Sequence, residues 1–197
     1  LHTLNDAAPA RARGAPGEQI AIVARRVTDA AMRAWDRLTW QASPAMASRE
    51  RDLSLGVRKA TPPELERARQ LVASTPRDKD GQFSDRKAIY AREALALDAY
   101  PDKVPVKLQV HRIGRLTIAA IPCEVFVEIG LDLKAAKPFD EHFTISLANG
   151  YNGYLPTPEH HRLGGYETWR ARSSYLETEA STAIAKNLKE MLAEVAR

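Results

Sequence analysis

A single cysteine, Cys123, stands in a chain of 197 residues. It cannot form an internal disulfide, and on its own it says little about compartment. Aromatic residues make up only 7% of the chain, and the net charge of +4 is small and spread along it. That balance argues against nucleic acid as a partner. No apolar run is long enough to cross a membrane as a helix. The sequence also lacks a Gly-rich phosphate loop, a CxxC pair, an HExxH and a GxSxG, so the common signatures of nucleotide, zincin and serine-hydrolase chemistry are missing. It begins Leu-His-Thr rather than with Met, so a processed start or a piece of a longer protein is expected.

Hydrophobic residues at 44% and charged residues at 27% indicate a globular chain of one good-sized domain. Residues 1–16 are rich in Ala, Pro, Gly and Arg and read as an arm or loop. From Gly17 to about Trp40, Ile20, Val23, Val27, Ala31, Ala34 and Leu38 recur at helical spacing, with Trp35 widening the stripe. A break is expected over "QASPAMASRER" and a strand over 52–59. Thr61-Pro62-Pro63-Glu64 has the form of a helix start with a capping box, and that helix should run to about Ser74. Ser84 is expected to cap a second helix through Leu97.

Val104, Val106, Leu108 and Val110 alternate with polar residues, which predicts a strand with one buried face. A turn at Ile113-Gly114 leads into the apolar run "LTIAAIP", read as a central strand. Val125, Ile129 and Leu133 predict a helix leaving it, "HFTISLAN" a further buried strand, and the end of the chain a helix from about Glu177 to Ala196. The fold class is therefore α/β, a mixed sheet flanked by helices.

Two junctions after strands are the natural places for chemistry: Pro122-Cys123-Glu124, and the long irregular stretch from Asn149 to Tyr166. Glu124 can cap a helix start, or serve as a metal ligand or general base. Tyr151 and Tyr154 lie in "NGYNGY", where a turn explains the two Asn-Gly pairs. Tyr166 follows Gly164-Gly165, which permits close backbone approach. The adjacent His160 and His161 should point apart and so cannot readily share one ion. His111 and His142 read as structural, and Cys123 as a small buried residue.

Taken together, "IAAIPCEVFVEIGL" followed by "SLANGYNGYLPTPEHHRLGGYE" resembles the neutral/alkaline, non-lysosomal ceramidase family. "PVKLQVHRIGRLTIAAIP" is similar to the paired strands that lead into that family's PGE-type motif. The resemblance extends from about residue 17 to the end. It implies a zinc-dependent amidohydrolase that cleaves the N-acyl bond of ceramide, or of a related N-acyl lipid, with a zinc-activated water. The family's zinc is held by two histidines, a glutamate and a tyrosine. The motif glutamate matches Glu124, with Cys123 in place of the motif glycine. The second tyrosine of N-x-Y-x-x-Y matches Tyr154, and the tyrosine that stabilises the oxyanion matches Tyr166. Tyr151 is left to packing.

The two histidines belong to an N-terminal half that has no counterpart upstream of Glu124. Residues 17–197 are therefore expected to be the C-terminal half of the catalytic domain, with the missing half as its partner. The resemblance further implies a secreted or periplasmic setting and peripheral membrane contact. A truncated homologue acting as a structural or binding module is the alternative.

Overall fold

The computed structural model describes residues 15–197, so most of the arm expected over 1–16 lies outside the described residues. Two compact units divide the chain, residues 1–44 and 45–197. In the first, helix α1 spans Glu18–Trp35. It follows Gly17, whose φ of 84° is readily adopted only without a side chain. The helical stripe read from the sequence is present, but none of its residues is buried. The helix also stops short of Trp40, whose ring meets that of Trp35 edge-on at 6.5 Å.

The second unit is built on a four-stranded mixed sheet in the order β1-β2-β3-β5. Strand β1, Met46–Gly56, pairs antiparallel with β2, Lys103–Ile113, along its whole length. The break expected over 41–51 is thus half strand. Its Ser and Arg positions face solvent or meet α-helical partners, which hid the alternation. Strand β2 turns at Gly114, φ 60°, into β3, Leu116–Ile121. Strand β5, Glu141–Ser146, then pairs parallel to β3. A second, two-stranded parallel ladder joins β4, Glu124–Val125, to β6, Tyr154–Leu155.

Helices α2, Pro62–Ser74, and α3, Arg86–Asp98, sit between β1 and β2 in sequence. Helix α2 opens with the expected Thr61–Glu64 capping box. The N-cap of α3 is Asp85 rather than Ser84; its carboxylate accepts from the Lys87 amide. Ala88, Ala91 and Leu97 form its buried apolar side.

One face of the sheet holds the core. Val106, Leu108 and Val110 of β2 and Ala119 and Ile121 of β3 pack with α6, Ala180–Ala196, through Ile184, Leu188, Met191, Leu192 and Val195. Helix α4, Val127–Ala135, adds Ile129 and Leu133. At the rim, Arg51 of β1 ties to Glu190 at 2.7 Å and Glu194 at 2.8 Å of α6.

The run "HFTISLAN" forms a strand, but only His142 of β5 is buried. As the sheet edge it places Phe143 and Ile145 on the opposite face, where they are exposed. An apolar run specifies a strand without specifying that both faces are covered.

Candidate functional site

The second ladder is where the two sequence junctions meet. After Ile121 the chain makes a two-residue turn through Pro122 and the fully buried Cys123. It then re-extends as β4, and α4 starts only at Val127 with Phe126 as its N-cap. Glu124 is therefore a strand residue and does not cap the helix. The helix expected to begin at the Cys123 junction starts four residues later, because Glu124 and Val125 find a strand partner.

That partner is β6. Its register places Glu124 opposite Tyr154 and Val125 opposite Leu155. Directly opposed residues of a ladder project to the same side with Cβ atoms about 5 Å apart, so the carboxylate and the phenol are neighbours. The Glu124 amide donates to the Gly153 carbonyl at 2.9 Å, and the Tyr154 amide to the Ser173 carbonyl at 2.9 Å. Gly153 has φ +75°, and a Cβ there would lie 2.4 Å from the Ser173 carbonyl oxygen. Only glycine lets the three segments lie this close.

Tyr166 opens a 3-10 turn, Tyr166–Thr168, that follows Gly164-Gly165. Its ring meets the Tyr154 ring edge-on, centroids 5.7 Å apart. The neighbouring Tyr166 hydroxyl, burial and the Glu124 charge all push the Tyr154 phenol well above its ordinary range. Glu124, Tyr154 and Tyr166, the three residues singled out by the resemblance, thus share one corner of the fold.

The remaining candidates lie elsewhere. Tyr151, assigned to packing, is largely exposed and lines a cleft with Tyr90, Tyr100, Tyr175 and Arg172. His160 and His161 sit on the short helix α5, Pro158–Leu163. The His160 ring bonds the Thr157 hydroxyl at 2.7 Å, stacks edge-on against Phe126 and stands 3.6 Å from Glu128. His161 is desolvated instead and feels the charge of Arg58, both of which lower its pKa. The pair therefore faces two different environments. His142 is buried against the Thr117 hydroxyl at 3.0 Å, and His111 bonds Ser48 at 2.9 Å. Burial pushes the Cys123 thiol up to about 12, which removes it as a nucleophile near neutrality.

Zinc takes at least three protein ligands in catalytic sites. Glu124 and Tyr154 supply two oxygen donors on adjacent strands. No group of three or more His, Cys, Asp or Glu suited to a metal ion occurs among the described residues. The residues present thus fit part of a zinc shell, and the rest would have to come from outside this set.

Sequence reasoning passed over the residues that build this corner. The Asn152 side chain bonds the Pro122 carbonyl at 3.0 Å and accepts from the Tyr175 hydroxyl at 2.6 Å, joining the two junctions. Arg172 grips Glu93 of α3 with two bonds of 2.7 and 2.8 Å, and Arg170 reaches Glu64 of α2 at 3.0 Å. Asn152 was visible inside "NGYNGY"; the arginines carry no local signal.

No protein-family model matches the chain, and no curated protein sequence matches it. Among solved structures it is similar to the neutral ceramidase of Pseudomonas aeruginosa, with a TM-score of 0.50 and 17% identity over 77% of this chain and 28% of that one. A ceramidase complexed with C2 aligns at a TM-score of 0.47 and 14% identity, over 76% of this chain and 30% of that one. The chain spans less than a third of the length of either. At this identity the likeness concerns the fold, and the fold is ceramidase-like.

Proposed function

We propose that this chain carries one part of a zinc-dependent amidohydrolase site that hydrolyses the N-acyl amide bond of ceramide or a related N-acyl lipid. The pairing of Glu124 with Tyr154 across the β4–β6 ladder, with the Tyr166 ring edge-on against Tyr154, carries this reading. Glu124 and Tyr154 would be two of the metal donors, and two histidines from outside this chain would complete the set. A bound zinc ion would supply a nucleophile at neutral pH and polarise the amide carbonyl.

The chain's own residues do the rest. The ladder fixes Glu124 and Tyr154 side by side through backbone bonds, so neither side chain need search for its place. Tyr166 offers a phenol hydroxyl to the carbonyl oxygen as negative charge develops on it. One well-placed donor of this kind contributes about 3 kcal/mol. Glu124 and Tyr154 keep the corner polar beside the buried Cys123 and Leu155.

Metal analysis and amide-hydrolysis assays on the isolated chain and on an extended protein, the chain joined to the histidine-bearing segment this reading calls for, test it. The isolated chain should hold no stoichiometric tight zinc and show no activity; the extended protein should do both. N-acyl sphingosines and simpler N-acyl amines, assayed side by side, define the substrate. An extended protein that binds no zinc and cleaves neither class would leave the chain as a non-catalytic module.

A further inference from the structure

Arg58 follows the end of β1 and its isolated bridge at Val57, far in sequence from both junctions. Its guanidinium is engaged on every side. Nε donates to the Leu176 carbonyl at 2.8 Å, and one terminal nitrogen to the Thr168 carbonyl at 2.9 Å. The other donates to the Ser174 carbonyl at 2.7 Å and the Ser174 hydroxyl at 3.0 Å. Among the described residues no carboxylate lies within ion-pair distance of it. Burial and the nearby charge of Arg170 bring its pKa down to about 10, so it stays cationic at neutral pH. A desolvated cation bound only by carbonyl and hydroxyl oxygens is a costly arrangement. Four well-formed charge-assisted bonds offset that cost.

Three of the four acceptors, on Thr168 and Ser174, belong to the segments that hold the two tyrosines. Thr168 ends the turn that begins at Tyr166, and the Ser174 hydroxyl in turn donates to the Glu167 carbonyl at 2.5 Å. Ser174 bridges Gly153, and its neighbour Ser173 accepts from the Tyr154 amide. Gly153 holds the Glu124 amide. We infer that Arg58 is a positioning residue that sets the Tyr166 turn against the Tyr154 strand, acting through Thr168 and Ser174. The forked guanidinium is what the geometry requires, because it reaches three backbone carbonyls, of Thr168, Ser174 and Leu176, at fixed angles. A lysine ammonium is a single point and cannot span them.

Amide hydrogen exchange on the whole chain tests this. It needs neither metal nor activity, so its outcome is independent of the amidase reading on which the word positioning rests. In Arg58→Ala the amides of Glu124, Tyr154, Thr168 and Ser174 should exchange at least about tenfold faster, while those of Val110 and Ala119 in the β2–β3 core change less than about twofold. Arg58→Lys should show the same selective pattern. Should Arg58→Ala not fold, Arg58→Lys and the milder Ser174→Ala, which removes the hydroxyl that links the guanidinium to the Glu167 carbonyl, give the answer. Three results would overturn the inference: unchanged exchange at Tyr154 and Thr168, a uniform rise that includes Val110 and Ala119, or full restoration by lysine. In the extended protein, Arg58→Lys should lower kcat at least about tenfold with KM within about threefold, since a misplaced Tyr166 loses a bond made to the reacting carbonyl.

Discussion

Glu124 and Tyr154 stand opposite each other in a parallel ladder only two residues long on each side. The ladder is short, but three further backbone contacts fix it. The Glu124 amide bonds Gly153, the Tyr154 amide bonds Ser173, and the Leu147 amide bonds the Cys123 carbonyl at 2.9 Å. In the extended protein, Glu124→Gln and Tyr154→Phe should each weaken zinc affinity by about a hundredfold or more, since even outer-shell partners cost 10–100-fold. Competitive chelator titration measures this. The melting temperature of the isolated chain should shift little, because both substitutions keep the shape of the side chain.

Gly153 should tolerate no side chain. In Gly153→Ala the new Cβ meets the Ser173 carbonyl, and φ is +75°. Gly81 has a similar φ of +72° with nothing within 4 Å of the same point, so Gly81→Ala isolates the cost of the backbone conformation. That cost is about 1–2 kcal/mol. Urea unfolding should show Gly153→Ala more destabilised than Gly81→Ala by about 2 kcal/mol or more, the extra being the clash.

Acid should weaken the anchor of the 166–176 segment. Bonds from Arg172 hold the nearly buried Glu93 carboxylate below its usual range, against the opposing effect of burial. A depressed carboxylate contributes stability above its unfolded pKa of about 4.3 and loses it as pH falls through the lower folded value. Glu93→Gln should cost about 1–2 kcal/mol at pH 7, allowing for the half-exposed Arg172. The cost should shrink below pH 4. Denaturant melts at pH 7 and pH 3.5 provide the comparison.

Alkali should weaken the same corner through different groups. Burial raises the Cys123 thiol and the Tyr175 phenol each to about 12. Each favours the folded state while protonated, so stability is fully present below the unfolded pKa and falls as pH climbs from there toward 12. At pH 8 the native thiol should react with a maleimide about a thousandfold more slowly than free cysteine. Mass spectrometry of native and unfolded protein reads the difference.

The element types, the one-sided burial of β2 and the capping box before α2 all follow from local chemistry. Alternating valines can bury only one face, and Pro62 after Thr61 starts a helix whatever surrounds it. Boundaries failed where pairing, rather than propensity, decided. Met46–Arg51 became strand because β2 supplied a full-length partner. Glu124 and Val125 left the expected helix because β6 supplied another. The apolar run of β5 gave no sign that one of its faces would stay open.

At the candidate site, the resemblance named Glu124, Tyr154 and Tyr166, and the tyrosine spacing kept Tyr151 apart. Which strand Glu124 lies beside, and what presses Tyr166 against Tyr154, had no local signature. Arg58 precedes Tyr166 by more than a hundred residues, and no periodicity links them. Most element types, and the residue types available for chemistry, are legible in the chain because they depend on short-range sterics and apolar patterning. That one carboxylate and two phenols share a corner emerges on folding, because it depends on strand register and on long-range bonds to backbone carbonyls.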